Sequence, residues 1–167
     1  MKPHLCSPIL LLALSSTLPL LAQTNASDTD KAFVAKVSQG GSYEVEASQL
    51  AIHKAVAQDV KDLAFTEVHD HELVNKELKA ISESEHVPIA PTLNADFQLK
   101  LAHLRSLSGG DFDEAYLLEM STIHDKDEKL FAQEAIDGSG PYKTFAAKTD
   151  RIVKRHIGAL HAIEPKS

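Results

Sequence analysis

Residues 60 to 81 read VKDLAFTEVHDHELVNKELKAI and place Val60, Ala64, Glu67, His71, Val74, Leu78 and Ile81 at a spacing of four and three. That spacing is the buried stripe of an amphipathic helix. Two members of the stripe, Glu67 and His71, are ionisable and one turn apart, so their side chains project together into whatever packs against the helix. A carboxylate and an imidazole withdrawn from water need partners at the same depth.

Candidate partners lie on three other stripes: Glu44, His124 and His156. Counted from the predicted turns at ~1.5 Å per residue, Glu44, His71, His124 and His156 fall at one level to within about half a turn. One carboxylate and three imidazoles at a single level form a metal-binding arrangement, because both are ligands for zinc, copper, iron and manganese. Glu67 sits a turn away, as a second carboxylate, a second metal position or a partner for a nearby histidine. Asp127 shares that neighbouring level, and Met120 lies a turn the other way, where a thioether would favour copper. The alternative is a buried hydrogen-bonded layer, Glu44 with His71 and His124 with His156, that only fixes helix register.

Four long helices are needed to carry these residues. The first runs from Asp30 to about Ala57, with Phe33, Val37, Gly40, Glu44, Ala47 and Ala51 inward, and Gly40-Gly41 marks a kink or a close neighbour. The second is capped by Asp59 and stops near His86, before Val87-Pro88-Ile89-Ala90-Pro91. A shorter piece spans 94 to 107, with Phe97, Leu101 and Leu104 on one face. The third long helix opens at Asp111 with Glu114 in a capping box. Its stripe is Phe112, Tyr116, Leu117, Met120, Ile123, His124, Asp127 and Phe131. Beyond Gly138-Ser139-Gly140, Pro141 opens the fourth, with Phe145, Thr149, Ile152, His156, Leu160 and Ile163 inward. No stretch alternates with period two, so the expected class is all-α, with antiparallel neighbours across short connections.

Off the stripes, Asp70 suits an ion pair with a neighbouring helix, and Asp113 suits the start of the third long helix. Tyr116 is expected in the core with its hydroxyl satisfied. His53, His69, His86, His103 and His161 read as solvent-facing. No Cys-x-x-Cys-His occurs, which excludes covalently attached haem.

The 167-residue chain carries 17 Lys and Arg against 24 Asp and Glu, a formal net charge of −7. Excess acid argues against a nucleic-acid partner and favours cations. Residues 1–22 read as a secretory signal peptide, with Lys2, an apolar run from Ile9 to Leu21 and Leu20-Leu21-Ala22 as the cleavage site. The run is too short for a transmembrane helix of ~20 residues. Residues 23–29 form a polar, mobile lead-in, and 30–164 a single domain held without disulfides, since Cys6 lies in the signal peptide. The product belongs in the periplasm or outside the cell, where outer-membrane association is compatible with the sequence. Neither a nucleophile nor a phosphate-binding loop stands out, so catalysis is not the expected role.

The segments QGGSYEVEASQLA, EVHDHELVNKEL, GGDFDEAYLLEMSTIHDKDEKLF and KTFAAKTDRIVKRHIGAL together resemble the exported bacterial family called domain of unknown function 4142, of the ferritin-like group. Its recurring marks are matched here by Glu44, Asp70, His71, Phe112, Asp113, Tyr116, His124 and His156. The resemblance implies an antiparallel ferritin-like four-helix bundle with a short extra helix between the second and third long helices. It assigns no function. Glu67 stands where the family usually has methionine, and the last helix lacks the Glu-x-x-His motif of ferritin-like di-iron proteins.

Overall fold

A computed structural model describes residues 26–163. The expected signal peptide at 1–22 and the start of the lead-in lie outside the described residues. Five helices and no strand are found among them: α1 (Asp28–Lys54), α2 (Gln58–Ser84), α3 (Ala95–Ser106), α4 (Gly109–Asp137) and α5 (Gly140–Ile163). None is long and apolar enough to cross a membrane.

Helix α1 begins at Asp28, two residues before the expected Asp30, which shortens the lead-in. The reason is local: Ser27 Oγ accepts the Asp30 amide at 3.1 Å, and Asp30 Oδ2 accepts the Ser27 amide at 2.7 Å, a reciprocal cap. Gly40-Gly41 does not interrupt α1. A Cβ on Gly41 would stand 2.3 Å from Asn75 Oδ1, so this glycine permits the close approach of α2. Helix α2 ends where His86 turns to φ 55, with the His86 and Val87 amides returning to the Glu83 and Ser82 carbonyls. The prolines follow this stop instead of causing it.

Three helix starts differ from expectation. Helix α2 starts at Gln58 after Ala57, so Asp59 lies within its first turn and does not cap it. Helix α4 starts at Gly109, before Asp111, and α5 starts at Gly140, so Pro141 is its second residue. Asp113 does not serve its own helix. Its carboxylate crosses to the α1–α2 turn and accepts the Val56 amide at 3.1 Å and the Ala57 amide at 2.8 Å, where α2 has no capping side chain of its own. Asp113→Ala is therefore expected to cost about 1–3 kcal/mol by stranding those amides. Urea unfolding would show a lower midpoint at unchanged slope.

Helix α1 packs along α2 and α4 along α5, and less extensive contacts join α1 to α4 and α2 to α5. Helix α3 lies against α1 and α4. Every expected inward residue is buried except Ile81, Phe97, Leu117, Ile152 and Ile163, which are half-buried, and Val153 takes the inward place beside Ile152. Two apolar clusters result. One gathers Tyr43, Ala47, Val60, Leu104, Phe112, Tyr116 and Met120, and the other Phe33, Val37, Leu78, Phe131, Phe145 and Val153. In the second, the Phe33 ring meets Phe131 edge-on at 5.3 Å between centroids.

At the far end of that cluster Asp30 also accepts the Ser139 amide at 3.0 Å and the Ser139 hydroxyl, fastening α1 to the α4–α5 turn. Burial would raise the Asp30 carboxyl, but these bonds outweigh it and hold it below its ordinary range. Beside it, burial first and then the bond and charge of Asp30 push Glu134 up to about 7. A carboxyl raised on folding stabilises the protein below its unfolded value of 4.5, and that contribution is lost as pH rises through about 7. Glu134→Gln is expected to flatten the fall in melting temperature between pH 5 and pH 8 (roughly the limits set by those values).

Candidate metal centre

Between the two apolar clusters lies a layer of five ionisable side chains: Glu44 from α1, Glu67 and His71 from α2, His124 from α4 and His156 from α5. None is more than 3 % exposed. Each helix delivers its residue because the four-and-three spacing that buries the leucines, valines and phenylalanines buries this position too.

Glu67 is at the centre. Its Oε2 lies 3.1 Å from His71 Nε2, 3.3 Å from His124 Nε2 and 3.1 Å from His156 Nδ1. Glu44 stands on the other side of two rings, with Oε2 3.2 Å from His71 Nδ1 and Oε1 3.5 Å from His124 Nδ1. Glu44 and Glu67 thus share the layer but not the convergence point.

The ring nitrogens facing away from Glu67 are all fastened. His124 Nδ1 donates to the Met120 carbonyl at 2.9 Å, and His156 Nε2 donates to Asp70 Oδ2 at 2.9 Å. His71 Nδ1 meets Glu44 as above. His124 Nε2 in turn lies 3.1 Å from His156 Nδ1. Both nitrogens of His124 thus face acceptors, the Met120 carbonyl at Nδ1 and Glu67 Oε2 at Nε2, so the ring can carry a proton on each. The electrostatics agree. Burial would lower His124, but the Glu44 charge and the bond to Glu67 push it up to about 10. His71 is raised for the same reasons against the same burial. Glu67 is held well below the usual carboxylate range, because its bonds to His124, His156 and His71 outweigh its desolvation.

Asp127 on α4 is also buried, and burial together with the Glu44 charge pushes it up to about 8. It faces Gly40, where a Cβ would lie 3.8 Å from Oδ2. The Tyr116 hydroxyl is paired with Ser48 Oγ at 2.8 Å, and burial followed by the Glu67 charge raises it well above its ordinary value. Met120 meets the layer through its carbonyl, while its sulfur lies 4.0 Å from Ser48 Oγ. His53, His69, His86, His103 and His161 are exposed. Asp70 does pair with a neighbouring helix, accepting from Arg155 as well as His156. Arg155 was not signalled by the stripes, since it lies one position outside the stripe that buries His156.

Both oxygens of Glu67, both of Glu44 and His71 Nε2 are buried without a well-aligned hydrogen bond. Four donor atoms, from Glu67, His71, His124 and His156, lie within 4.8 Å of one another, a set that can hold a metal ion. Bonds of ~2.0 Å in a tetrahedron put ligand atoms about 3.3 Å apart. Four of the six separations here are 3.1 to 3.3 Å.

Comparison with known proteins adds the lineage. The family described as a domain of unknown function, DUF4142, matches residues 15–163. The chain belongs to that family. Among curated proteins, none matches this DUF4142 chain in sequence. A crystal structure of a DUF305 fragment from Deinococcus radiodurans superposes on it with a TM-score of 0.73 at 12 % identity, over 83 % of this chain and 96 % of that one. A DUF305 protein from Streptomyces coelicolor, described as a candidate secreted protein, superposes with a TM-score of 0.66 at 14 % identity, over 80 % and 90 % of the two chains. At those identities the DUF4142 domain shares a fold with them, and its chemistry rests on its own residues.

Proposed function

We propose that this protein is an exported, antiparallel ferritin-like four-helix bundle that sequesters one divalent transition-metal ion through Glu67, His71, His124 and His156. The observation that carries the reading is the convergence of three imidazole nitrogens on Glu67 Oε2 at 3.1 to 3.3 Å, with the outward nitrogen of each ring held by Glu44, Met120 or Asp70. Orienting contacts of that kind characterise ligating histidines. Glu44 belongs to this orienting set. The nitrogen-rich, sulfur-free donors suit zinc, copper, iron or manganese. Four protein donors in a closed interior leave no position for a substrate, so buffering or protection from metal stress fits better than turnover. Cleavage after Ala22 and delivery to the periplasm or the exterior complete the proposal.

A second reading has its own support: the paired charges of Glu44 and Glu67 with the raised His71 and His124 already balance without a cation. On that reading the layer only sets helix register in an envelope protein. Metal analysis separates the two. Chelator-stripped protein reloaded separately with each of the four metals and desalted is expected to retain one ion per chain with at least one of them. Retention of none would leave the register reading.

A further inference from the structure

We propose that Asp70 and Arg155 form the gate by which a cation reaches the buried layer, across the seam between α2 and α5. This rests on the metal reading above for its cargo, and on geometry for the opening itself. Glu44, Glu67, His71, His124 and His156 are closed to solvent, whereas the Asp70 and Arg155 side chains are 14 % and 59 % exposed. Asp70 is the solvent-touching side chain bonded to the layer among the described residues, and Arg155 is bonded to Asp70. A single oxygen, Asp70 Oδ2, holds both the surface guanidinium at 2.5 Å and the ring of His156 at 2.9 Å. The outermost carboxylate is therefore one bond from bulk water and one bond from the ligand set.

The seam is also the right one. The packing of α2 on α5 is less extensive than that of α1 on α2 or α4 on α5. The other narrow seam, α1 with α4, is closed by Gly40, Ile123 and Asp127, all buried. An exposed ion pair contributes little, so Arg155 leaves Asp70 readily. What it uncovers is a carboxylate, which recruits a cation and repels an anion. Exchange of guanidinium for a metal cation at Asp70 keeps the local charge from falling, and rotation of Asp70 then releases the His156 ring to admit the ion. Asp70 and Arg155 are in this sense positioning residues, acting through His156.

The test begins without metal. Stripped wild-type, Arg155→Gln and Asp70→Asn proteins are treated with diethyl pyrocarbonate, and modification of each histidine is followed by peptide mass spectrometry, with exposed His53 as the internal reference. Arg155→Gln is expected to speed modification of His156 by up to about fivefold, the equivalent of about 1 kcal/mol for an exposed pair, at unchanged melting temperature. An unchanged His156 rate in a folded variant overturns the gate. Stopped-flow zinc loading gives the second arm. Arg155→Gln should raise association and dissociation rates by a common factor and leave Kd alone, while Asp70→Asn slows association. A change in Kd through dissociation only would place Arg155 in the site and not at its door. Should the wild type retain no ion while the Arg155→Gln effect on His156 persists, the metal reading fails and the opening stands.

Discussion

Glu67→Gln is expected to cost the metal-free protein about 3–5 kcal/mol at pH 7, the penalty for breaking a buried ion pair and leaving its partner charge uncompensated. The partner is identifiable. His124 is fully buried and its proton is held to about 10 by Glu44 and Glu67. Glu44 still stands beside that ring in the variant, so the loss is the share of the charge pairing that Glu67 supplies. Glutamine has the same volume and retains an acceptor oxygen, so the loss reports charge and not a cavity. A melting temperature lower by roughly 8–15 °C is expected for a domain of this size.

The pH dependence distinguishes this from a packing defect. His71 and His124 are raised on folding, so their contribution is complete below the unfolded value of 6.5 and is lost as pH rises, for His124 through about 10. Glu67 is lowered, so its contribution is present above 4.5 and is lost as pH falls. The difference between wild type and Glu67→Gln should be greatest between those limits and shrink on either side. A variant within about 1 kcal/mol of wild type at pH 7 would mean that the layer is not held by charge.

The sequence stripes carry a great deal of this site. Spacing of four and three puts Glu44, Glu67, His71, His124 and His156 inside the protein, and each is buried where the repeat places it. Counting residues from the turns brings Glu44, His71, His124 and His156 to one layer because each helix advances by a constant rise. The count puts Glu67 a turn away, whereas its side chain reaches along α2 into the same layer. It does not say on which side of a ring a carboxylate stands. Glu44 and Glu67 differ there: one approaches the Nδ1 side of His71 and the other its Nε2 side, a distinction made by rotamers and by helix rotation of a fraction of a turn.

Contacts made between helices were the least visible. Asp113 looks like a cap for the helix it opens, yet its acceptors serve the Val56 and Ala57 amides across the fold, at a turn where no side chain caps the start of α2. Arg155 and Asp70 meet only after α2 and α5 are brought together. Ser27 with Asp30 was a local signal, three residues apart at a helix start, and could have been read from the order of residues alone.

Zinc at a hundredfold excess over Kd is expected to stabilise the stripped protein by about 2.7 kcal/mol, which is a rise of roughly 5–10 °C in melting temperature. Neutral imidazole is the ligand, so uptake must displace the protons that hold His71 and His124 charged at neutral pH. Two protons leaving for one divalent cation keep the charge of the buried layer constant, which a low-dielectric interior favours. Affinity should therefore fall by up to about two orders of magnitude per pH unit on acidification, with proton release seen as a buffer-dependent heat in calorimetry. His124→Ala should abolish the zinc-dependent rise while also lowering the starting stability. If that variant instead loses the same number of degrees with and without zinc, the three imidazoles serve register alone, and the carboxylate between them is a counter-charge and not a ligand.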